Sequence, residues 1–409
     1  MLLGIVVRLA LLPTEGLKGD LDQFVLWVHR IAVNGLGHAY DPTQSPTDNL
    51  SFPAVMAWIW GVLALVQPAF QTVTDSADPA IRALMKVPAS LADFGLMAVV
   101  VYAFRGRPWW AVIGAGVVML HPAIIDVSAW WGQYESIYVL FALAAVVFAI
   151  NGHNGPAAAF LALSLMTKPQ ALPFILPFAA WFWAKGGVRE ILRTAVIGGA
   201  TTLLVWLPFL AAGGPLNYVR NLADYQNVVF PIMSLNAWNL WWLFQILTVG
   251  TFAGDQAALI GPITFRHIGW LITAVLSLVV ALQVSRNPTP RTLILGLAAS
   301  SLVWFVFMTQ MHERYAFAAL LFLLLLVPER RILALYVLFG VVYPRDLGSA
   351  VPPTDWIHQM LPFGGLYSIV GSVVTITIAA LTMVWMGEPP ETETTPDHQV
   401  AVAPGVPSV

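Results

Sequence analysis

Four short polar clusters interrupt an otherwise apolar chain, and each carries side chains able to move a proton or hold an anion. The first, Gly19-Asp20-Leu21-Asp22, supplies two carboxylates; such a group serves as general base toward a hydroxyl when its surroundings bring it near the working pH. Two solvated acids opening an amphipathic helix, where they favour its dipole, would read the same way. The second cluster runs from His121-Pro122 to Trp130-Trp131-Gly132-Gln133-Tyr134-Glu135-Ser136. Trp and Tyr collect at membrane interfaces for physical reasons alone, whereas the hydrogen-bonding groups of Gln133 and Glu135 gain nothing from such a belt.

The third cluster, Thr167-Lys168-Pro169-Gln170, lies in an apolar stretch from 157 to 183. Its proline breaks a helix, and its lysine needs an anionic partner, either a structural carboxylate or a bound phosphate. The fourth is Gln310-Met311-His312-Glu313-Arg314-Tyr315. Either Glu313 and Arg314 form an orienting ion pair, or His312 and Arg314 neutralise a phosphate, whose oxygens suit a planar guanidinium. No second histidine stands four residues from His312, so the usual zinc spacing is not met. Two weaker signals remain. Lys86 and Asp93, seven residues apart on one helix face, read as a structural pair or as cavity lining. Asn236 and Asn239, among Trp238, Trp241 and Trp242, suit sugar binding or the start of an interfacial helix.

The elements that must carry these clusters follow from composition. Of 409 residues 58% are hydrophobic and 10% charged, against roughly 25% charged in a soluble domain. The runs 81–104, 109–125, 191–212, 269–284, 293–308 and 361–386 are near or above the roughly 20 residues that cross hydrocarbon as a helix. Shorter runs at 52–66, 136–150, 157–166, 171–183, 237–249, 315–327 and 332–342 bring the expected number of transmembrane helices to about 10–13. A net charge of -2 argues against nucleic acid, and the absence of cysteine excludes disulfides and thiolate chemistry.

The first run, 1–12, has no basic residue ahead of it and no cleavage site, so it reads as a retained helix rather than a signal peptide. Its 12 residues reach about 18 Å of a roughly 30 Å core. Either the true start lies upstream or the helix continues through Pro13. The polar segment 14–51 follows, an expected external loop in which Phe24, Trp27, Val28 and Ile31 recur at helical spacing, as in an amphipathic interfacial helix. Basic residues at Arg105/Arg107, Lys185/Arg189/Arg193, Arg286/Arg291 and Arg330/Arg331 mark the cytoplasmic loops. The four polar clusters then face the other side. One difficulty arises: two runs separate 14–51 from Arg105 where an odd number is needed, so either 52–66 is re-entrant or one basic loop breaks the rule. Residues 1–386 read as a single polytopic domain, and 387–409 as a disordered tail.

Taken in order, Gly19-Asp20 with Phe24 and Trp27, Ser51-Phe52-Pro53, Lys86-Val87-Pro88 with Asp93, Trp131-Gly132-Gln133-Tyr134-Glu135-Ser136, Lys168-Pro169-Gln170, Asn236-Ala237-Trp238-Asn239-Leu240-Trp241 and Met311-His312-Glu313-Arg314-Tyr315 resemble a known pattern. It is that of the bacterial relatives of the GPI-anchor second mannosyltransferase, within the GT-C superfamily of polyprenyl-phosphate-sugar-dependent glycosyltransferases. The resemblance covers about residues 1–385. That family usually reads Asp-Tyr-Pro-Pro where this chain has Ser51-Phe52-Pro53-Ala54, and an aspartate where it has Glu135.

The resemblance implies an all-α integral membrane bundle of GT-C type. It further implies inverting transfer of a sugar, mannose by this kinship, from a polyprenyl-phosphate donor to a lipid or glycan hydroxyl at the non-cytoplasmic face of the cell membrane. Asp20 is then the general base with Asp22 as fallback, and Lys168, His312 and Arg314 meet the donor phosphate. Gln133, Glu135, Gln170, Asn236, Asn239, Glu313 and Tyr315 become substrate contacts. No cofactor is implied, and a divalent metal is left open. The competing class is a transporter or flippase of a lipid-linked sugar, which would ordinarily show paired half-structures; here the clusters are unpaired and gather at one face.

Overall fold

Backbone amides in hydrocarbon must satisfy one another, so apolar runs become helices, and the computed structural model, which describes residues 1–389, follows the runs closely. Helix α1 (Leu2–Leu11) leads to α2 (Lys18–Asn34) and α3 (Ala54–Val66). Then come α4 (Pro79–Ala103), α5 (Pro108–Leu120), α6 (Pro122–Ile125), α7 (Glu135–Ile150), α8 (Asn154–Leu165), α9 (Ile175–Trp206), α10 (Gly214–Asp224) and α11 (Leu240–Thr248). The chain closes with α12 (Phe265–Arg286), α13 (Pro290–Phe307), α14 (Phe317–Leu324), α15 (Arg330–Ala350), α16 (Asp355–Met360) and α17 (Leu366–Met386). The expected tail lies, beyond residue 389, outside the described residues.

Among the described residues, six helical segments are long and apolar enough to span a membrane: α4, Pro169–Phe209, α12, α13, α15 and α17. The pair Pro108–Leu120 and Pro122–Trp131, bent by 47°, has the length and apolarity of a seventh when taken as one broken span. Four shorter apolar helices of 10–17 residues, α1, α3, α7 and α8, accompany them, so the candidate spans are fewer than the 10–13 expected. Within α9 the backbone leaves helical geometry at Gly186 and Gly187, the latter at φ 60°. The break lies beside Lys185, where the basic loop was expected between two runs.

Helix α2 buries Leu21, Phe24, Val25, Trp27, Val28 and Ile31, the face its periodicity marks. Phe24 and Trp27 meet Phe52 and Trp60 with ring centroids 5.3–5.8 Å apart, packing worth about 0.5–1.5 kcal/mol per pair beyond buried area. The flanks of α3 are tied to α2 and to the segment that follows it. Tyr40 donates to the Phe52 carbonyl before it, while His29 contacts the Phe70 carbonyl and Gln71 donates to Ala32 after it.

Helix α13 runs through the centre, buried over most of its surface, with Gly296, Ala298, Ala299, Ser300 and Ser301 letting its neighbours approach. Helix α1 is fastened by a residue the sequence reading absorbed into an apolar run. Arg8, 2% exposed, donates from Nε to Asp93 Oδ2 (2.9 Å) and from Nη1 to the Met119 carbonyl (2.7 Å). Asp93 also accepts from Ser128 (2.6 Å) and Ser136 (2.5 Å). The expected pairing or shared lining of Lys86 and Asp93 is not what forms. Lys86 donates instead to the carbonyls of Thr14 (2.8 Å) and Leu11 (3.4 Å). One face of a helix brings two residues into register, but the nearer countercharge came from another helix.

Replacing one partner of a buried ion pair strands the other. Arg8→Leu is expected to destabilise the fold by roughly 3–5 kcal/mol, seen as a lower thermal midpoint in detergent. Adding Asp93→Leu should restore most of the loss.

Candidate active site

The starts of α2 and α7 and the ends of α8 and α13 lie together, so the four polar clusters converge. Asp20 stands in the first turn of α2. Trp131 Nε1 donates to its Oδ2 (3.0 Å), and Gln133 Nε2 donates to the same oxygen (2.5 Å). Trp131 closes a wide helical turn, Asp126–Trp131, and Gln133 follows Gly132 at φ 87°. A Cβ on Gly132 would lie 2.9 Å from Leu21 Cδ2 and 2.9 Å from Lys86 Cγ, so only glycine lets this segment lie against α2.

Lys168, 2% exposed, follows α8 as the helix ends before Pro169. Its ammonium donates to Gln133 Oε1 (3.1 Å) and Glu135 Oε1 (2.6 Å) and lies 5.1 Å from the centre of the Phe52 ring. Glu135 Oε1 also lies 3.5 Å from Arg314 Nε. Arg314 donates from Nη1 to Glu313 Oε1 (3.1 Å) and stacks 5.0 Å over Trp131. The clusters thus form one chain, Asp20, Gln133, Lys168, Glu135, Arg314, Glu313, in which two cations are interleaved with three carboxylates.

His312 Nδ1 lies 3.3 Å from Arg314 Nη1. A guanidinium only donates, so Nδ1 accepts and the proton of the neutral ring sits on Nε2. Burial, with Arg314 and Lys168 alongside, holds this imidazole well below the usual histidine range. His312 thus has its Nε2–H free to meet a ligand.

A cavity of about 350 Å³ adjoins the network. Lys168, Gln170, His312, Arg314 and Tyr315 form its polar end, while Trp270 of α12 and Trp304 and Met308 at α13 form an apolar wall. Tyr225, Gln226 and Phe230, in the segment after α10, line it as well. That segment is held by Gln310 Nε2, which donates to the Gln226 (2.7 Å) and Phe230 (3.0 Å) carbonyls. The sequence reading did not single out these residues or the two tryptophans of the wall; spacing along a helix carried no sign of them.

Other expected contacts have different employment. Asp22 pairs with Lys18 (2.5 Å) and accepts from the Ser76 amide (2.8 Å) and hydroxyl (2.6 Å), away from the cavity. Asn239 caps α11, accepting from the Trp242 amide (2.8 Å) and donating to the Phe305 carbonyl (2.9 Å). Asn236, at φ 57°, is buried in a backbone bridge with His312 and does not line the cavity. Asp20, Gln133, Glu135 and Glu313 join the lining through Lys168 and Arg314 and do not themselves line it. Among the described residues, no group of three His, Asp or Glu side chains is gathered as metal ligands.

Comparison with known sequences bears directly on this site. The model of the ALG6, ALG8 glycosyltransferase family matches residues 49–343. The chain belongs to that family. The ALG6, ALG8 match takes in Gln133, Glu135, Lys168, His312 and Arg314, and Asp20 precedes it. The GT-C superfamily expected from the motif order therefore stands, whereas the narrower kinship with the GPI-anchor enzyme is not what the match supports. A probable dolichyl pyrophosphate Man9GlcNAc2 alpha-1,3-glucosyltransferase of Drosophila melanogaster is 29% identical over 246 residues, 55% of this chain and 49% of the relative. The chain thus matches about half the length of that curated relative.

Burial lowers the Lys168 ammonium to about 8, with Glu135 opposing the shift. The cation is present below that pH and is lost as pH rises through it. An alkyl phosphate added as probe is expected to bind progressively more weakly above pH 8, as followed by quenching of tryptophan fluorescence. Lys168→Arg should remove that pH dependence.

Proposed function

We propose that this protein transfers a hexose, glucose in the first instance, from a polyprenyl-phosphate carrier to a hydroxyl of a lipid-linked glycan, at the face opposite the basic loops. The observation that carries this reading is one continuous network joining Asp20 to the two buried cations of a cavity with an apolar wall. Family membership favours an enzyme over a transporter or flippase.

In this reading the donor phosphate enters the polar end of the cavity, and the first isoprenoid units lie along Trp270, Trp304 and Met308. Lys168 and Arg314 are already held in position by Glu135, so little reorganisation is needed when charge develops on the leaving oxygen; such preorganised electrostatics are commonly the largest catalytic term. His312 adds a neutral N–H. Asp20, half-buried at the edge of the network, takes the proton of the acceptor hydroxyl as its oxygen bonds to the anomeric carbon. The carbon–oxygen bond to phosphate breaks on the opposite face, polyprenyl phosphate leaves, and the anomeric configuration inverts.

Glucose is favoured by the name of the Drosophila relative, which also suggests a pyrophosphate-linked oligosaccharide as acceptor. Mannose is the second reading, favoured by the order of the seven motifs. The purified protein, given polyprenyl-phosphate glucose or mannose with a membrane lipid extract, is expected to consume the glucosyl donor and yield a lipid product heavier by one hexose by mass spectrometry. Asp20→Asn should lower transfer by about 10²–10⁴-fold while retaining donor binding; full activity in that variant would overturn the reading.

A further inference from the structure

We infer that Trp131 and Gln133 are positioning residues that pin Asp20 through Oδ2 alone and so reserve Oδ1 as the oxygen that receives the acceptor proton. The inference rests on the reading of Asp20 as general base. Both N–H donors that reach Asp20 from the protein end on Oδ2, Trp131 Nε1 at 3.0 Å and Gln133 Nε2 at 2.5 Å. Among the described residues no donor is directed at Oδ1.

The orientation of the Gln133 amide follows from its other contact. Lys168 Nζ lies 3.1 Å from Gln133 Oε1, and an ammonium has no acceptor capacity, so the carbonyl end faces Lys168 and the NH₂ end must face Asp20. Gln133 is 1% exposed and Trp131 0% exposed, so neither has water as an alternative partner. Trp131 is further fixed beneath the Arg314 guanidinium. The carboxylate thus cannot turn to offer both oxygens equally. Its held oxygen is stabilised by two N–H groups, and the other points away from them. The same contacts make Lys168 and Arg314, the phosphate-side cations, the indirect supports of the base, so the two halves of the reaction are assembled as one unit.

The test separates base positioning from donor binding. An alcohol acceptor must lose a proton, whereas azide forms its bond to the anomeric carbon, displacing polyprenyl phosphate, with no proton to remove. Trp131→Phe keeps a ring over Arg314 but loses the N–H, and Gln133→Glu keeps an acceptor for Lys168 but turns an oxygen toward Asp20. Each variant is assayed with polyprenyl-phosphate glucose and polyprenyl-phosphate mannose, once with membrane lipid extract and once with sodium azide. In each, the kcat for hydroxyl transfer is expected to fall by about tenfold to a hundredfold. In Trp131→Phe the donor KM and the rate of glycosyl azide formation should stay near wild type, whereas Gln133→Glu, whose added charge also meets Lys168, should lower hydroxyl transfer by a larger factor than azide transfer. Parallel losses in hydroxyl and azide transfer, or undiminished hydroxyl transfer, would overturn the positioning role. Asp20→Asn distinguishes the underlying reading: if it still transfers to hydroxyls, both the base assignment and the inference fail; if it is inactive toward hydroxyls but forms glycosyl azide, only the variants' own results decide the inference.

Discussion

A lysine ammonium closed off from water in an apolar bundle survives only if anions and hydrogen-bond acceptors replace its hydration shell. Lys168 finds both in Gln133 and Glu135, and that arrangement fixes much of what surrounds it. To deliver the two acceptors, α7 must begin where α8 ends, and a wide helical turn with a left-handed glycine must lead the chain into α7. To balance the shared carboxylate, Arg314 must come down from the far end of α13. Asp20 is then recruited by the remaining end of the Gln133 amide. Helices that share little sequence proximity are joined at one end by a single polar chain, while small residues along α13 let the rest of the bundle close around an apolar interior.

Much of this was legible from the amino-acid order, for reasons that differ by residue. The spans could be read because hydrocarbon demands continuous apolar helices. Gln133 and Glu135 stood out because an aromatic belt has no use for an amide or a carboxylate, and Lys168 because an uncompensated lysine is too costly to leave in a helix break. Arg8 escaped notice although the same cost applies to it: a single arginine in a ten-residue apolar helix already called for a buried anion. Its partner Asp93 was credited to Lys86 because both share a helix face, yet distance in three dimensions chose otherwise.

What could not be read was the meeting of clusters separated by more than a hundred residues, since nothing local in Asp20 points to Trp131. Asn239 illustrates a residue with two adequate explanations, of which its position before α11 favoured the helix cap. The tautomer of His312 was equally hidden, because it is set by a guanidinium whose direction only the fold supplies. The loop after α10 carried no motif at all; its part in the cavity depends on two hydrogen bonds from Gln310.

The central claim is geometric, namely that the donor's phosphate and the base flank one anomeric carbon. It is tested most directly by determining the structure of the protein with a non-transferable polyprenyl-phosphate glucose analogue. The account predicts phosphate oxygens within hydrogen-bonding distance of Lys168, Arg314 and His312, the isoprenoid against Trp270 and Trp304, and the anomeric carbon turned toward Asp20. A phosphate bound elsewhere, or a sugar facing the basic loops with Asp20 remote from it, would contradict the account.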